Sequence, residues 1–162
     1  MTRYQHVNHG FSPVWDEKSK LLILGSFPSV KSREVNFYYG HPQNRFWKVI
    51  AQVFQEELPH TIEEKKAVLH KNHIALWDVI KSCDIIGSSD SSIKNAEPAD
   101  ISTLLKAAPI ERIYVNGSLA KKLYDRYVFP DTGMQAIKLP STSPANARFT
   151  LDALVECWSV IG

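Results

Sequence analysis

Leu21-Leu22-Ile23-Leu24-Gly25-Ser26-Phe27-Pro28-Ser29 runs from four consecutive apolar residues straight into a Gly/Ser/Pro loop. A short run that is apolar at every position suits a strand buried on both faces, the situation of a strand in a parallel sheet. Gly25 then lets the backbone turn sharply and approach a ligand closely, while Pro28 stiffens a loop whose amides can face an anion. Three further runs have the same character: Ile74-Ala75-Leu76-Trp77, Ile113-Tyr114-Val115 and Ala136-Ile137-Lys138-Leu139.

Helical patterns separate these runs. Phe46, Trp47, Ile50, Val53 and Phe54 share one helical face. Thr61 with Glu64 three residues on is a capping box that opens a second helix towards Leu69. Asp100 caps a helix over 101–108 that Pro109 terminates, and Ser118 caps one over 119–127. Leu151, Leu154, Val155 and Trp158 give the last helix a buried stripe. Residues 87–99, rich in Ser and Asp, read as a loop. Strands alternating with helices imply an α/β fold: a three-layer α/β/α sandwich around a four-stranded parallel sheet. In such a sheet the C-terminal ends of all strands share one edge, where ligands bind. The polar segments 25–32, 78–92, 116–118 and 140–146 all fall at that edge.

The chain of 162 residues is read as one domain over 1–162, long enough to bury a core without staples. Apolar content of 44% and charged content of 22% are ordinary for a soluble protein. No apolar run reaches the length of a membrane span, and the first residues lack the apolar segment of a signal peptide. Cys83 and Cys157 have no CxxC spacing, and the histidines show no metal-ligand spacing. These features point to a cytoplasmic monomer with no metal and no cofactor. A net charge of +2 does not by itself indicate nucleic acid; only local patches such as Lys31/Arg33 or Lys138/Arg148 could do so.

Two stretches carry chemistry. In Tyr38-Tyr39-Gly40-His41-Pro42-Gln43-Asn44-Arg45-Phe46-Trp47, His41-Pro42 is expected to start a helix, placing Asn44 in its first turn. Tyr38 and Tyr39 can offer a ring face to a planar base or pack in the core. His41 has no carboxylate or nucleophile spaced to work with it and reads as a capping or packing residue. Pro140-Ser141-Thr142-Ser143-Pro144-Ala145-Asn146 supplies hydroxyls and amides suited to phosphate oxygens, held stiff by two prolines. The same loop could equally do no more than cap the last helix.

At these residues the chain resembles the uracil-DNA glycosylase superfamily, over 21–158. Gly25-Ser26-Phe27-Pro28-Ser29 with Ser32 is similar to its first motif, a Gly-x-x-Pro-small loop. Residues 41–50 are similar to the corresponding helix of the mismatch-specific uracil/thymine branch, and Asn116-Gly117-Ser118 to that branch's Asn-Gly-Lys turn. Residues 139–145 are similar to the second motif, the loop that enters the duplex. Phe27 stands where the mismatch-specific branch has a water-positioning Asn, and the second motif lacks the His of the classical uracil enzymes. The pattern that remains most resembles the hypoxanthine (deoxyinosine) DNA glycosylase family. Two cysteines cannot supply the ligands of an iron–sulfur branch.

The resemblance implies a DNA repair enzyme that hydrolyses the N-glycosidic bond of a flipped deaminated base, hypoxanthine or uracil, and leaves an abasic site. It implies Asn44 as the catalytic residue, holding the base through both its donor and its acceptor. Gly25, Ser26 and Phe27 would bind the base through the backbone, and Tyr39 would stack on it. Ser29, Ser32, Ser141 and Ser143 would grip phosphates, while Pro144, Ala145 and Asn146 fill the vacated space in DNA containing deaminated bases. With Phe27 in place of Asn, the residue that positions the water is left open, with Asn44 a candidate for both jobs. Three alternatives stand beside this reading: a mismatch-specific uracil/thymine glycosylase, a non-catalytic damaged-DNA-binding module, and an α/β enzyme acting on free nucleotides.

Overall fold

The computed structural model describes residues 3–162. All four apolar runs form parallel strands: β2 (Leu21–Gly25), β3 (Ile74–Asp78), β6 (Arg112–Asn116) and β7 (Ala136–Leu139), in the order β3-β2-β6-β7. Register brings Gly25 beside Asp78 and Asn116 beside Leu139, so the polar ends of the strands align on one edge. Side chains alternate between two cores, as a sheet covered on both faces requires. Leu22, Leu24, Ile113 and Val115 enter one core; Ile23 and Tyr114 enter the other.

The second core lies under α2 (Phe46–Val53), α3 (Ile62–Lys71) and α7 (Leu151–Trp158), through Phe46, Trp47, Ile50, Leu69, Leu154 and Trp158. The capping box of Thr61 and Glu64 is present in α3, and Asp100 caps α4 (Ile101–Ala107) by accepting from the Thr103 N–H. The first core takes α4 and α5 (Ser118–Leu123), with a second sheet packed beside them.

That second sheet departs from the sequence expectation. It is antiparallel, β1 (Gln5–Asn8), β4 (Ile80–Ile85) and β5 (Lys94–Pro98) in the order β1-β4-β5, and it occupies much of the ground read as polar loop. Its outer strands are mostly exposed, so no apolar run marks them. In β4 two register shifts break the alternation that would have revealed it. Segment 87–99 therefore holds a 3₁₀ turn (Asp90–Ser92) and β5 rather than a continuous loop.

Two helix starts also differ. His41-Pro42 lies in a turn, and α2 begins only at Phe46. Gly117, with φ of +96°, precedes α5, and no Ser118 side-chain cap forms. The helix expected over 119–127 passes from α5 into a π turn (Tyr124–Val128) and then α6 (Phe129–Thr132). The buried Tyr124 hydroxyl reaches Thr132 Oγ1 at 2.9 Å there. The remaining short helix, α1 (Val30–Val35), is capped by Ser29, whose hydroxyl accepts from the Ser32 N–H. Among the described residues no helix is long and apolar enough to cross a membrane.

Candidate active site

The strand order reverses between β2 and β6, because the chain leaves β2 towards β3 but leaves β6 towards β7. Such a switch point opens a crevice at the C-terminal ends of the strands. A cavity of about 300 Å³ lies there, walled by 25–29 after β2, Asp78 at the end of β3, Asn116 at the end of β6 and Ser141–Ala145 after β7. Tyr39, His41 and Asn44 close its remaining side. The volume is at the small end for ligand pockets, suited to one flat ring.

Asn44 faces this cavity with its orientation fixed. Its Oδ1 accepts from the Phe46 N–H at 2.9 Å and from the Thr142 hydroxyl at 2.8 Å. A backbone N–H can only donate, so the oxygen and nitrogen of the carboxamide cannot be exchanged. Both lone pairs of Oδ1 are used, and Nδ2 alone is left for a ligand. The amide therefore acts as a donor, not as the donor–acceptor pair expected from sequence. Thr142, fully buried, also takes the Asn116 Nδ2 donation at 3.0 Å, and its own N–H donates to Asn116 Oδ1 at 3.0 Å. Asn116, Thr142 and Asn44 thus form one chain of hydrogen bonds from β6 across the loop after β7.

Gly25 makes the closest approach in the site. A Cβ there would lie 2.4 Å from Asp78 Oδ1 and 3.1 Å from the Tyr39 hydroxyl, so only glycine fits. The Gly25 carbonyl accepts from the Val79 N–H at 2.8 Å and the Ser26 carbonyl from the Ile80 N–H at 3.1 Å. In trans peptides the N–H points opposite to the carbonyl, so the Ser26 and Phe27 N–H groups point away from the β3–β4 junction. The Phe27 ring is buried, with the Arg33 guanidinium 5.7 Å above it, so its backbone rather than its ring is what this residue can offer a ligand.

Tyr39 adopts φ of +54°, an uncommon conformation for a bulky residue. Its ring stacks on Phe46 with centroids 4.0 Å apart, leaving at most one face for a base. Its hydroxyl is buried without a hydrogen-bond partner. Burial first, and then the Asp78 charge, push this phenol far above the usual tyrosine range, while the approach of Asn116 works the other way. Tyr38 is a core residue whose hydroxyl donates to the Ser12 carbonyl at 3.0 Å.

The serines divide. Ser32 is buried, with its hydroxyl accepting from the Gly40 N–H at 2.9 Å and from Ser29 at 3.2 Å. It ties α1 to the Gly40 turn by accepting both bonds, while the hydroxyl proton of Ser29 is spent on it. Ser29, Ser141 and Ser143 are half-buried at the cavity wall, the last two shaping their own loop by accepting from the N–H groups of Ser143 and Ala145. Pro144 and Ala145 are exposed at the tip. Asn146 turns inward, its Nδ2 donating to the Ser141 carbonyl at 3.0 Å.

This loop is held from inside by Arg45, which sequence reasoning passed over. Its guanidinium donates to the carbonyls of Ser143 at 2.9 Å, Asn146 at 3.1 Å and Phe149. Its own N–H donates to the Thr142 carbonyl at 3.0 Å. The arginine that looks basic enough for DNA is spent on the fold. Three site residues also escaped the sequence reading. Thr142 stood unsingled in a loop of hydroxyls. Asp78 could have been found as the polar residue ending a strand at the ligand edge. His9 gave no signal, because it comes from a different sheet.

The profile of the uracil DNA glycosylase superfamily matches residues 13–162. The chain belongs to the uracil DNA glycosylase superfamily. It is accordingly a DNA repair glycosylase, a hydrolase. A hypoxanthine DNA glycosylase of Methanosarcina acetivorans is 39% identical over 157 residues, covering 96% of this chain and 98% of its own. One from Methanosarcina barkeri is 36% identical over 141 residues, covering 86% and 88%. A solution NMR structure from M. acetivorans, provisionally assigned as a uracil DNA glycosylase, superposes with a TM-score of 0.82 at 36% identity. It covers 97% of each chain. Within the superfamily fold, the parallel sheet supplies Asp78 to the cavity wall, and His9, just after β1 of the antiparallel sheet, backs it from outside the cavity.

Proposed function

We propose that this superfamily member releases hypoxanthine from deoxyinosine in DNA by hydrolysing the N-glycosidic bond. The observation that carries the reading is the pinned carboxamide of Asn44, which turns a lone donor towards a cavity sized for one base. That N–H donates to the carbonyl that deamination creates, and it meets donor against donor with the amine of the undamaged parent base. The two relatives named for hypoxanthine support the choice of base.

The chemistry follows from charge. As the glycosidic bond breaks, the sugar becomes positive and the base negative. A fixed donor in a dry cavity stabilises that developing anion without having to reorganise. The Asn44 Nδ2 and the Ser26 and Phe27 N–H groups are the donors for it. Thr142 and Asn116 keep the first of these in place. The target must first leave the stack, which costs a few kcal/mol and least for a mispaired base. Pro144 and Ala145, at the exposed tip of a loop braced by Arg45, would fill the gap that it leaves, with Ser29, Ser141 and Ser143 near the flanking phosphates. The open face of Tyr39 would lie against the base.

Duplexes carrying a single inosine, uracil, xanthine or thymine mispair, incubated with the protein and then cleaved in alkali at abasic sites, test this. Inosine should be the best substrate, and Asn44→Ala should lower its release by about 10²–10³-fold. Equal release by Asn44→Ala would remove that residue from the chemistry, and preference for another lesion would reassign the base.

A further inference from the structure

Asp78 lines the cavity wall, and the buried His9 lies behind it. Asp78 is 4% exposed and His9 6% exposed. His9 Nε2 lies 2.7 Å from Asp78 Oδ2, and His9 Nδ1 lies 2.9 Å from the Phe11 carbonyl. A carbonyl only accepts, so Nδ1 carries a proton; for Nε2 to donate to an ionised Asp78 as well, the ring holds a proton on each nitrogen, and its orientation is fixed. Phe11 at 4.3 Å, Tyr38 at 5.8 Å and Phe27 at 6.3 Å wall the imidazole in. The other carboxylate oxygen, Oδ1, receives no hydrogen bond among the described residues and presses against Gly25 at the cavity floor. Beside it the Tyr39 hydroxyl is buried and unpartnered.

Buried polar atoms without partners are rare and call for a bound water or ligand. An acceptor and a hydroxyl crowding the same glycine make such a water site. The site lies on the opposite wall from Asn44: Asp78 ends β3, whereas Asn44 is tied to the loop after β7. A base held between them would present its sugar carbon to the water. Building this pair solely for stability would be costly, since burying two ionisable groups returns little.

We propose that Asp78 is the catalytic residue that orients the attacking water and takes its proton, with His9 as the residue that positions Asp78. This rests on the glycosylase reading above. The water oxygen forms a bond to C1′ of the deoxyribose. The C1′–N9 electron pair leaves with hypoxanthine, which takes a proton from solvent. The water's proton goes to Asp78 Oδ1 and from there to solvent, so the net reaction consumes one water and yields free base and an abasic sugar. Tyr39 donates its hydroxyl proton to the water as a hydrogen bond and keeps it.

Single-turnover release from an inosine duplex tests this with Asp78→Asn, His9→Gln and His9→Leu. Asp78→Asn should slow release by about 10²–10⁴-fold. Affinity for a duplex containing uncleavable 2′-fluoro-2′-deoxyinosine should stay within about twofold, as expected for a group that acts only in the reaction. Azide is a nucleophile with no proton to lose, so it should restore release by Asp78→Asn at least about tenfold and do nothing for Asn44→Ala. His9→Gln, which can still donate to Asp78, should keep more activity than His9→Leu. Asp78→Asn within about threefold of the unaltered protein, a loss that azide does not restore, or a parallel loss of affinity would each overturn the proposal. If thermal melting shows Asp78→Asn unfolded, equal rates for the two His9 variants and the unaltered protein would overturn it. A protein that frees no base from any lesion duplex would sink the glycosylase reading itself, an outcome distinct from active protein with an indifferent Asp78.

Discussion

Thr142 donates to Asn44 and accepts from Asn116 through one hydroxyl, so a single atom holds both carboxamides of the site. Thr142→Val keeps the shape but leaves both partners unsatisfied. We expect it to lower base release by about tenfold and stability by roughly 1–3 kcal/mol, whereas Thr142→Ser keeps both near normal. Release assays and urea unfolding check this, and a valine variant with unaltered rate would show that Asn44 needs no such support. Gly25→Ala would drive a methyl into Asp78 Oδ1 and the Tyr39 hydroxyl. Overpacking of this kind costs roughly 1–3 kcal/mol, and release should fall far more than the affinity for inosine duplex. Binding and single-turnover measurements on one preparation separate the two. At this scale the sequence exposes which residues are polar and near the ligand edge, Asn44 among them. It cannot expose that both lone pairs of the carboxamide oxygen are spent, because the hydroxyl that takes up the second is 98 residues away.

Between residue and molecule, the loop after β7 owes its form to one side chain on the approach to α2. Arg45 collects the carbonyls of Ser143, Asn146 and Phe149, carbonyls that no regular element satisfies. Trp158 adds a brace by donating from Nε1 to the Pro140 carbonyl at 2.9 Å. Arg45→Met fills similar space without donors, and should cost roughly 2–3 kcal/mol, since charged hydrogen bonds to partly buried carbonyls are lost. Amide hydrogen exchange should speed up across 141–149, and the affinity for inosine duplex should drop; slow exchange there would mean that the prolines alone stiffen the loop. The four parallel strands and the α2, α3, α4 and α7 helices were legible because burial on both faces, capping residues and apolar stripes leave local marks. β1, β4 and β5 left none. Two of them are exposed ribbons, and β4 carries shifts that scramble its period, so their pairing is set by tertiary contact.

On the scale of the whole molecule, the two sheets meet at the cavity and bring His9 to Asp78 across 69 residues of chain. The charge pattern there is unusual for a protein that must bind a polyanion. Arg33 donates to the Gly87 carbonyl at 2.7 Å and lies over Phe27, and Arg45 is committed to the loop. With Arg33 and Arg45 engaged internally and a net charge of only +2, we expect phosphate contacts to come largely from hydroxyls, amides and helix starts. Neutral donors release no counterions, whereas each cation on a phosphate adds about −0.9 to the slope of log affinity against log salt. We therefore expect a slope of about −3 or shallower for inosine duplex between low and moderate salt. Fluorescence anisotropy across that range gives the value. A slope near −6 would mean that lysines outside the cavity track the backbone, and the phosphate role given to Ser29, Ser141 and Ser143 would pass to them.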